Sequence, residues 1–389
     1  MKVPESYRDR EQTYVKHHLL RTYLERLFMI IGQRQSIIRY VDCFSGPWNE
    51  NEENLQDTSI GISLRIMQKC GEGLLSIGKK VRFQALFIEK DKRAFQKLES
   101  HLATCSTSDV TAGAKNGEFY DLREQILDWC GEDGFTFFFI DPKGWKKVIE
   151  LSTLEPFLRR PNSEFLINVM YDFLLRAHTQ KTFQEDMRAI FGEISDTTNM
   201  EPEQKEAVMI NLYRSRLKQI APVHSGKPRT AHVPILYPLK DRTLYHLVYL
   251  TRHAKGICVF MEESEKLEFV QKQVREQAKQ VNREGRSSQR ELFQSSDLIQ
   301  PERRNSLQEV KSYWLNKLSD APRRFGIDQL ADMIEETGWF ESDFQTVFGE
   351  LAGQGIVANL DDQTKRRRKK FVHFDAYDNQ GEHLIRLKP

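Results

Sequence analysis

Three apolar runs that each end in an acidic residue constrain the fold of this chain more than any other feature. The runs are YVD, ending at Asp42, ALFIE, ending at Glu89, and FTFFFID, ending at Asp141. Between them lie segments whose apolar residues recur three and four positions apart, as in amphipathic helices. Strands that are apolar throughout are typical of a parallel sheet covered by helices on both faces. The alternation therefore predicts an α/β protein with an open, mostly parallel sheet.

The polar residues at the strand ends predict a ligand site at one edge of this sheet. Ligands of open α/β sheets bind at the carboxyl ends of the strands. Asp42, Glu89 and Asp141 occupy such ends, and Asn168 is a further candidate in the next predicted strand, SEFLINVMYDF. These residues come from four strands, and the architecture is expected to bring them to the same edge.

The residue types at this edge suggest contacts with a nucleoside cofactor. Glu89 can accept hydrogen bonds from two ribose hydroxyls, because a carboxylate has two acceptor oxygens. Asp42 and the turn Ser45-Gly46 can hold the amino-acid part of such a cofactor. Glu118 and Phe119 are placed to meet an adenine amino group and ring face. Asp141-Pro142 stands where the reacting group would lie.

Each of these residues also has a purely structural interpretation. Asp42 can cap the helix that follows it, and Glu89 can form a surface ion pair with a neighbouring lysine. Asp141-Pro142 can simply end a strand. For Glu118 and Phe119, a helix start and a core aromatic residue are the favoured interpretation.

Composition excludes several classes of protein. The five cysteines stand far apart without CxxC or zinc-ligand spacing, so neither a disulfide framework nor a metal site is expected. This pattern fits a reducing cytoplasm. No apolar run approaches the ~20 residues that span a bilayer. The net charge of +2 is nearly balanced, so affinity for nucleic acid has to come from local patches.

The pattern along the chain suggests three regions. Residues 1–265 are expected to form a Rossmann-like domain, with a helical insertion at about 180–225 and late strands in LYHLVYLTR and GICVFMEE. Residues 266–303 are highly charged and poor in apolar residues, which is typical of a helix that passes into a linker. Residues 304–389 are expected to form a second, smaller domain.

The smaller domain shows the element order of a winged helix. Three helix-spaced segments, which contain Trp314, Met333 and Phe348, precede the strand-like segments GIVANL and HLIRL. The run KRRRKK falls between those two segments, where a wing would be. Phosphate binding is favoured over a solvated hairpin or a protein contact, because adjacent positive charges need solvent or an anion. The candidate nucleic-acid-binding residues are Lys365, Arg366, Arg367, Arg368, Lys369 and Lys370.

Five blocks of the sequence together resemble the three-Cys-motif partner protein family. They are YVKHHLLRTYLERL, YVDCFSGPW, LFIEKD, FFFIDPKGW and FLINVMYDFLLR, and the resemblance covers roughly residues 10–262. That family is named for its association with a separate cysteine-motif protein, itself similar to iron–sulfur or radical enzymes. Its members resemble class I S-adenosylmethionine-dependent methyltransferases. The resemblance implies a Rossmann-like class I methyltransferase fold with S-adenosylmethionine as cofactor.

The resemblance also implies roles for individual residues. The matching positions are Lys16 and His17 in the leading helix, Asp42, Phe44, Ser45 and Gly46 in the first cofactor motif, Glu89 as the ribose-binding acid, and Asp141 and Pro142 in the catalytic motif. Two positions depart from the family pattern. Pro47-Trp48 stands where the family usually continues Pro-Gly. Lys143-Gly144 stands where amino-methyltransferases have a Pro-aromatic pair, whose aromatic residue would stack on a base. Trp145 is the candidate substitute for that aromatic residue.

These observations lead to two hypotheses about function. The first is an S-adenosylmethionine-dependent methyltransferase acting on nucleic acid, with DNA favoured over RNA, together with a cysteine-motif partner protein. The alternative is a non-catalytic nucleic-acid-binding adaptor that keeps the fold and recruits that partner. The single glycine of the first turn, Gly46, and the altered motif after Asp141 favour the alternative. Lys16, His17 and Asn168 are candidates for lining the site, with packing the favoured role for His17.

Overall fold

A computed structural model describes residues 3–46, 55–105, 109–144, 147–178, 180–193, 199–223, 226–287, 306–362 and 370–387. The chain divides into two compact units. The first unit comprises Met1–Arg252 and Leu267–Asp297, and the second comprises His253–Lys266 and Leu298–Pro389. The sequence pattern instead placed residues 253–265 with the first region.

The first unit is built on a seven-stranded sheet. Its strands are β1 (Ile37–Asp42), β2 (Arg82–Glu89), β3 (Val110–Asn116), β4 (Phe135–Ile140), β5 (Ser163–Val169), β6 (Arg229–Leu236) and β7 (Thr243–Thr251). Their spatial order is β3-β2-β1-β4-β5-β7-β6. The strands β1 to β5 pair in parallel, whereas β7 runs antiparallel to both β5 and β6.

The apolar runs became central strands because both of their faces are covered. All residues of β4 and β5 are buried, as are those of β1 from Ile38 onward. The helices of this unit are α1 (Glu11–Ile31), α2 (Ser59–Ser76), α3 (Lys92–Cys105), α4 (Arg123–Cys130), α5 (Leu151–Leu158), α6 (Tyr171–His178), α7 (Gln184–Phe191) and α8 (Pro202–Ile220). They supply the apolar surface that a parallel sheet needs on each side.

Three segments differ from the sequence-based expectation. The strand β3 was not predicted, because VTAGAKN is polar and rich in small residues, as an edge strand can be. The strand β6 was also missed. GICVFMEE was predicted as a strand, and this prediction is wrong, because the segment lies in helix α9 (Ala254–Ser287). A short apolar run rich in β-branched and aromatic residues fits a buried helix as well as a buried strand.

The strand order contains a topological switch point between β1 and β4. From β1 the chain moves outward to β2 and β3, then returns to place β4 and β5 on the other side of β1. Ligands of open α/β sheets bind beyond the carboxyl ends of the strands at such a point. The mostly parallel sheet flanked by helices is a Rossmann-like fold of the class I methyltransferase type, which confirms the fold prediction for the first unit.

The second unit contains a three-stranded antiparallel sheet and a group of helices. Its elements beyond residue 305 are α10 (Leu307–Lys317), β8 (Arg323–Phe325), α11 (Ile327–Thr337), α12 (Glu341–Gly353), β9 (Val357–Asn359), α13 (Ala376–Asn379) and β10 (Glu382–Arg386), with sheet order β8-β10-β9. The indole ring of Trp314 is fully buried against Phe325, Phe344 and Phe348. The three predicted helices are present, and β8 is an additional strand that the sequence pattern did not indicate.

Several predicted residues lie outside the described part of the chain. These are Pro47, Trp48, Trp145, Lys365, Arg366, Arg367, Arg368 and Lys369. Within the described residues, none of the helices combines the length and the hydropathy that crossing a membrane requires.

Candidate functional site

A cavity of about 1120 Å³ lies at the carboxyl ends of the parallel strands of the first unit. Of the residues singled out from the sequence, those that line it are Phe44, Gly46, Glu89, Glu118, Phe119 and Pro142. They come from the ends of β1, β2 and β4 and from the loop after β3. The switch point therefore brings together residues that are up to about a hundred positions apart in the chain.

Asp42 holds the first turn together instead of lining the cavity. Its side chain is fully buried, and Oδ1 accepts a hydrogen bond of 3.1 Å from the backbone amide of Phe44. Its Oδ2 accepts one of 2.6 Å from the hydroxyl of Ser59, at the start of α2. The hydroxyl of Ser45 donates to the carbonyl of Asp42 over 3.1 Å. These bonds give the turn a defined shape with only one glycine, Gly46.

Burial of Asp42 has an electrostatic consequence. Loss of hydration raises the pKa of this carboxyl group from 3.8 to about 6. The hydrogen bonds from Ser59 and Phe44 lower the pKa and oppose this effect without cancelling it. Burial of this carboxyl group therefore destabilises the folded protein at neutral pH, where the group is ionised.

Glu89 lies at the end of β2 and lines the cavity, although the residue is only 3% exposed. Its Oε1 accepts a hydrogen bond of 2.7 Å from the backbone amide of Asp91. The side-chain amide of Asn116 donates to the carbonyl of Glu89 over 2.8 Å and so ties the end of β2 to that of β3. Burial raises the pKa of Glu89 above its ordinary value. The carboxylate is thus held in a defined position at the cavity wall.

Glu118 and Phe119 follow β3 and combine structural contacts with a place at the cavity. The carboxylate of Glu118 forms an ion pair with Lys90 over 3.2 Å. The ring of Phe119 is buried and stacks on Phe157, with ring centres 5.0 Å apart. It also contacts the ring of Phe44 at 5.5 Å. The core-aromatic interpretation of Phe119 is therefore correct, and the same residue still contributes to the cavity wall.

Asp141, Lys16 and Asn168 form a separate cluster that is not among the residues lining the cavity. The ammonium group of Lys16 forms an ion pair with Oδ2 of Asp141. The amide Nδ2 of Asn168 donates to Oδ1 of Asp141 over 2.6 Å. Lys16 reaches this place because α1 lies against the sheet, where the hydroxyl of Tyr23 bonds to buried Glu164 over 2.9 Å. Both oxygens of Asp141 therefore already have donors within the protein.

His17 packs against Tyr7, and the two rings meet edge to face. Its Nδ1 lies 3.1 Å from the hydroxyl of Tyr7, which itself donates to the carbonyl of Asp57 over 2.9 Å. Loss of hydration, together with the neighbouring charge of Lys16, lowers the pKa of His17 to about 3. The imidazole is therefore neutral near pH 7, and His17 is not among the residues that line the cavity.

Several cavity residues were not singled out as cofactor or catalytic candidates. Lys143 and Gly144 were noted only as departures from a family motif, yet both line the cavity. Other residues come from the loop before α5 and from the segment that follows β5: Lys147, Val148, Glu150, Phe173, Phe183 and Asp186. The sequence did not mark these residues as part of a site, because polar and apolar residues also alternate on helix surfaces and loops that bind no ligand.

No group of three or more His, Cys, Asp or Glu side chains suited to hold a metal ion occurs in the described ranges. The candidate site consists of the cavity and of the cluster formed by Lys16, Asp141 and Asn168.

Comparisons with known proteins bear on the fold. No family model matches the chain, and no curated protein matches it. Solved structures similar to it include a putative methyltransferase, yhhF, from Escherichia coli, at 14% identity over 59% of this chain and 86% of that one, with a TM-score of 0.25. TomG, an O-methyltransferase from Streptomyces achromogenes solved with SAM, is 13% identical over 64% of this chain and 91% of that one, with a TM-score of 0.32. Loganic acid methyltransferase with SAH is 12% identical over 91% of this chain and 92% of that one, with a TM-score of 0.25.

Similarities at this level concern the fold alone, and TM-scores below 0.5 add no weight to it. The assignment to the class I methyltransferase type is based on the strand order and the switch point.

Proposed function

We propose that this protein binds S-adenosylmethionine in the cavity and transfers its methyl group to nucleic acid. The observation that carries the proposal is Glu89, a buried carboxylate at the end of β2 that lines a large cavity beside the switch point. A carboxylate in that place can accept hydrogen bonds from both ribose hydroxyls of a nucleoside.

The other cavity residues fit the remaining parts of this cofactor. Phe44 and Gly46 belong to the turn after β1, where backbone amides can bind the carboxylate of the amino-acid part. Glu118 can accept a hydrogen bond from the adenine amino group, and Phe119, whose ring stacks on Phe157, can contact the adenine ring. Asp42 supports these contacts indirectly, because it holds the turn in shape.

When bound, the cofactor supplies a methyl group on a positively charged sulfur. The protein's task is then to place the acceptor atom in line with that methyl group and to exclude water. Pro142 lines the cavity directly after Asp141, so the acceptor is proposed to lie beside it. Lys16 and Asn168 each donate to one oxygen of Asp141, and the remaining lone pairs of the carboxylate can accept a hydrogen bond from an acceptor amino group. A base in a duplex would first have to be flipped out.

Calorimetric titration of the purified protein with S-adenosylhomocysteine tests the cofactor site. We expect binding in the micromolar range, because the cavity is already formed by ordered strand ends. A folded protein that binds neither this compound nor S-adenosylmethionine would contradict the proposal.

The alternative function, a non-catalytic adaptor, is favoured by one observation. Both oxygens of Asp141 accept from donors within the protein, Lys16 and Asn168, so the carboxylate at the position that matches a catalytic motif has a structural role. An adaptor of this kind would retain its affinity for nucleic acid when Asp141 is replaced by alanine.

We propose that nucleic acid binds to the second unit. The order of α10, β8, α11, α12, β9 and β10 supports a winged-helix domain, with residues 365–370 between its last two strands. Lys370, the one residue of this basic run within the described ranges, pairs with Glu341 over 2.9 Å. The local excess of positive charge supports binding to phosphates.

Replacing the six basic residues 365–370 by glutamine is expected to lower affinity for nucleic acid by about tenfold or more, because fewer counterions are released. Fluorescence anisotropy with a labelled duplex at several salt concentrations measures this effect. The slope of log affinity against log salt should become shallower. Exposed Lys79 and Lys80, replaced by glutamine, provide a control of the same chemistry. An affinity that does not change with salt would contradict the proposal.

The five sequence blocks further support a role as a three-Cys-motif partner protein. We propose on that ground that the protein works with a separate cysteine-motif protein. Co-purification of the two proteins from cells that express both would test this association.

A further inference from the structure

The cavity extends well beyond the residues proposed to hold the cofactor. Its remaining lining, here called the second half of the cavity, includes Val148 in the loop after β4, Phe173 on α6, and Phe183 and Asp186 at the start of the helical insertion. Pro142 lies in the wall of the same cavity. The proposed cofactor contacts leave this second half unassigned.

Phe173 has an unusual environment for a large apolar side chain. It is 40% exposed, and it is the one largely exposed hydrophobic side chain among the described residues that line this cavity. The guanidinium group of Arg176 lies over its ring at 4.7 Å. Arg176 is itself held in place, since Nε donates to the carbonyl of Asp172 over 3.1 Å and Nη2 pairs with the carboxylate of Asp172 at 3.0 Å.

A ring fixed in this way is suited to stacking. The guanidinium group covers one face of the ring, and a flat aromatic ligand can stack on a ring supported in this way. The nearby ring of Phe183 adds further apolar surface in the same cavity. An exposed apolar surface within a concave site is a common mark of ligand binding.

The charge of the cavity limits the kind of ligand. Of the charged side chains that line it, five are acidic and three are lysines. The ammonium group of Lys147 lies over the ring of Tyr120 at 5.3 Å, and Lys90 pairs with Glu118. An excess of negative charge suits a positively charged sulfonium and disfavours an anionic acceptor. The ring that enters the cavity is therefore expected to be uncharged.

We propose that Phe173, backed by Arg176 and accompanied by Phe183, is the binding surface for an uncharged, planar heteroaromatic ring of the size of a nucleobase, which is the methyl acceptor. The identification of this ring as the methyl acceptor rests on the proposed function. The stacking surface itself does not depend on it. Pro142 is followed by Lys143 and Gly144, neither of which is aromatic, and the proposal gives the stacking role to Phe173 on α6.

Ligand-observed NMR titrations of the full-length protein test this inference. Adenosine, cytidine and thymidine serve as probes after S-adenosylhomocysteine has filled the cofactor half. The compound 5,6-dihydrothymidine provides a matched control ligand, because its saturated ring is no longer planar. We expect at least one planar nucleoside to bind. If thymidine binds, its affinity should be higher than that of its dihydro form.

The protein variants separate stacking from general packing. Phe173→Leu keeps an apolar side chain and is expected to weaken nucleoside binding by about tenfold, whereas Phe173→Tyr should retain it. Phe269→Leu is the matched control, because Phe269 is equally exposed, at 41%, and does not line the cavity. The affinity for S-adenosylhomocysteine should be the same in all three variants.

The outcomes distinguish this inference from the proposed function. If S-adenosylhomocysteine does not bind, the proposed function fails, and the same nucleoside titrations without it still test the stacking surface. The inference is overturned if no planar nucleoside binds in either condition, or if Phe173→Leu binds nucleosides as tightly as the unaltered protein.

Discussion

Replacing Glu89 by glutamine is expected to weaken binding of S-adenosylhomocysteine by about tenfold to a hundredfold. Hydrogen bonds that involve a charged group contribute roughly 1.5–3 kcal/mol, and the variant loses both the charge and one acceptor oxygen. Glu89 is buried at the cavity wall, so water cannot easily substitute for the missing contact. Isothermal titration calorimetry measures the change in dissociation constant directly.

Two controls show whether this effect belongs to the site. Glutamine is close to isosteric with glutamate, and burial raises the pKa of Glu89, so removing its charge is not expected to destabilise the fold. Glu99→Gln, an exposed position on α3, removes the same charge away from the cavity and should leave binding unchanged. Equal affinities for Glu89→Gln and the unaltered protein would show that the ribose-binding assignment is wrong.

Replacing Asp42 by asparagine is expected to stabilise the protein at pH 7 by about 2 kcal/mol, with about 3 kcal/mol as the upper limit. The raised pKa, about 6 instead of 3.8, corresponds to roughly 3 kcal/mol of unfavourable burial of the charged form. Asparagine removes that charge and keeps an oxygen for the backbone amide of Phe44. The hydroxyl of Ser59 can turn to accept from the new amide group.

The pH dependence of this gain has a definite sign. Between about pH 4 and pH 6 the folded state binds more protons at Asp42 than the unfolded state, so this residue lowers stability as the pH rises. The advantage of Asp42→Asn should therefore be small near pH 4, grow up to pH 6 and stay constant above it. Urea unfolding of both proteins at several pH values measures the difference.

Asp133 offers a contrasting control for Asp42. The guanidinium group of Arg39 holds the pKa of Asp133 below its ordinary value, so Asp133→Asn should not stabilise the protein at pH 7. Two results would show that the buried charge of Asp42 does not destabilise the protein. One is an unchanged free energy of unfolding for Asp42→Asn at pH 7, and the other is an equal increase at pH 4 and at pH 7. The variant also tests whether the charge of Asp42, as distinct from its hydrogen bonds, is needed for cofactor binding.

The sequence by itself determined the parallel strands β1, β2, β4 and β5 of the first unit and the edge of the sheet at which the cavity lies. Apolar runs and helix spacing are local properties, and the end of a parallel strand is visible as the point where a polar residue follows such a run. Because parallel strands end at the same edge, the convergence of Glu89 and Pro142 on one cavity could be predicted without coordinates. The polar edge strand β3 escaped notice because it lacks an apolar run.

Only the tertiary structure decided what each polar group contacts. The pairing of Lys16 with Asp141 joins residues 125 positions apart, and it depends on how α1 lies against the sheet. Asp42 was expected at a ligand, yet its carboxylate bonds to Phe44 and Ser59. Phe173 has no distinguishing sequence pattern, since an aromatic residue on a helix can face the core, the solvent or a cavity. Side-chain contacts between distant segments follow from packing in three dimensions, which local periodicity does not encode.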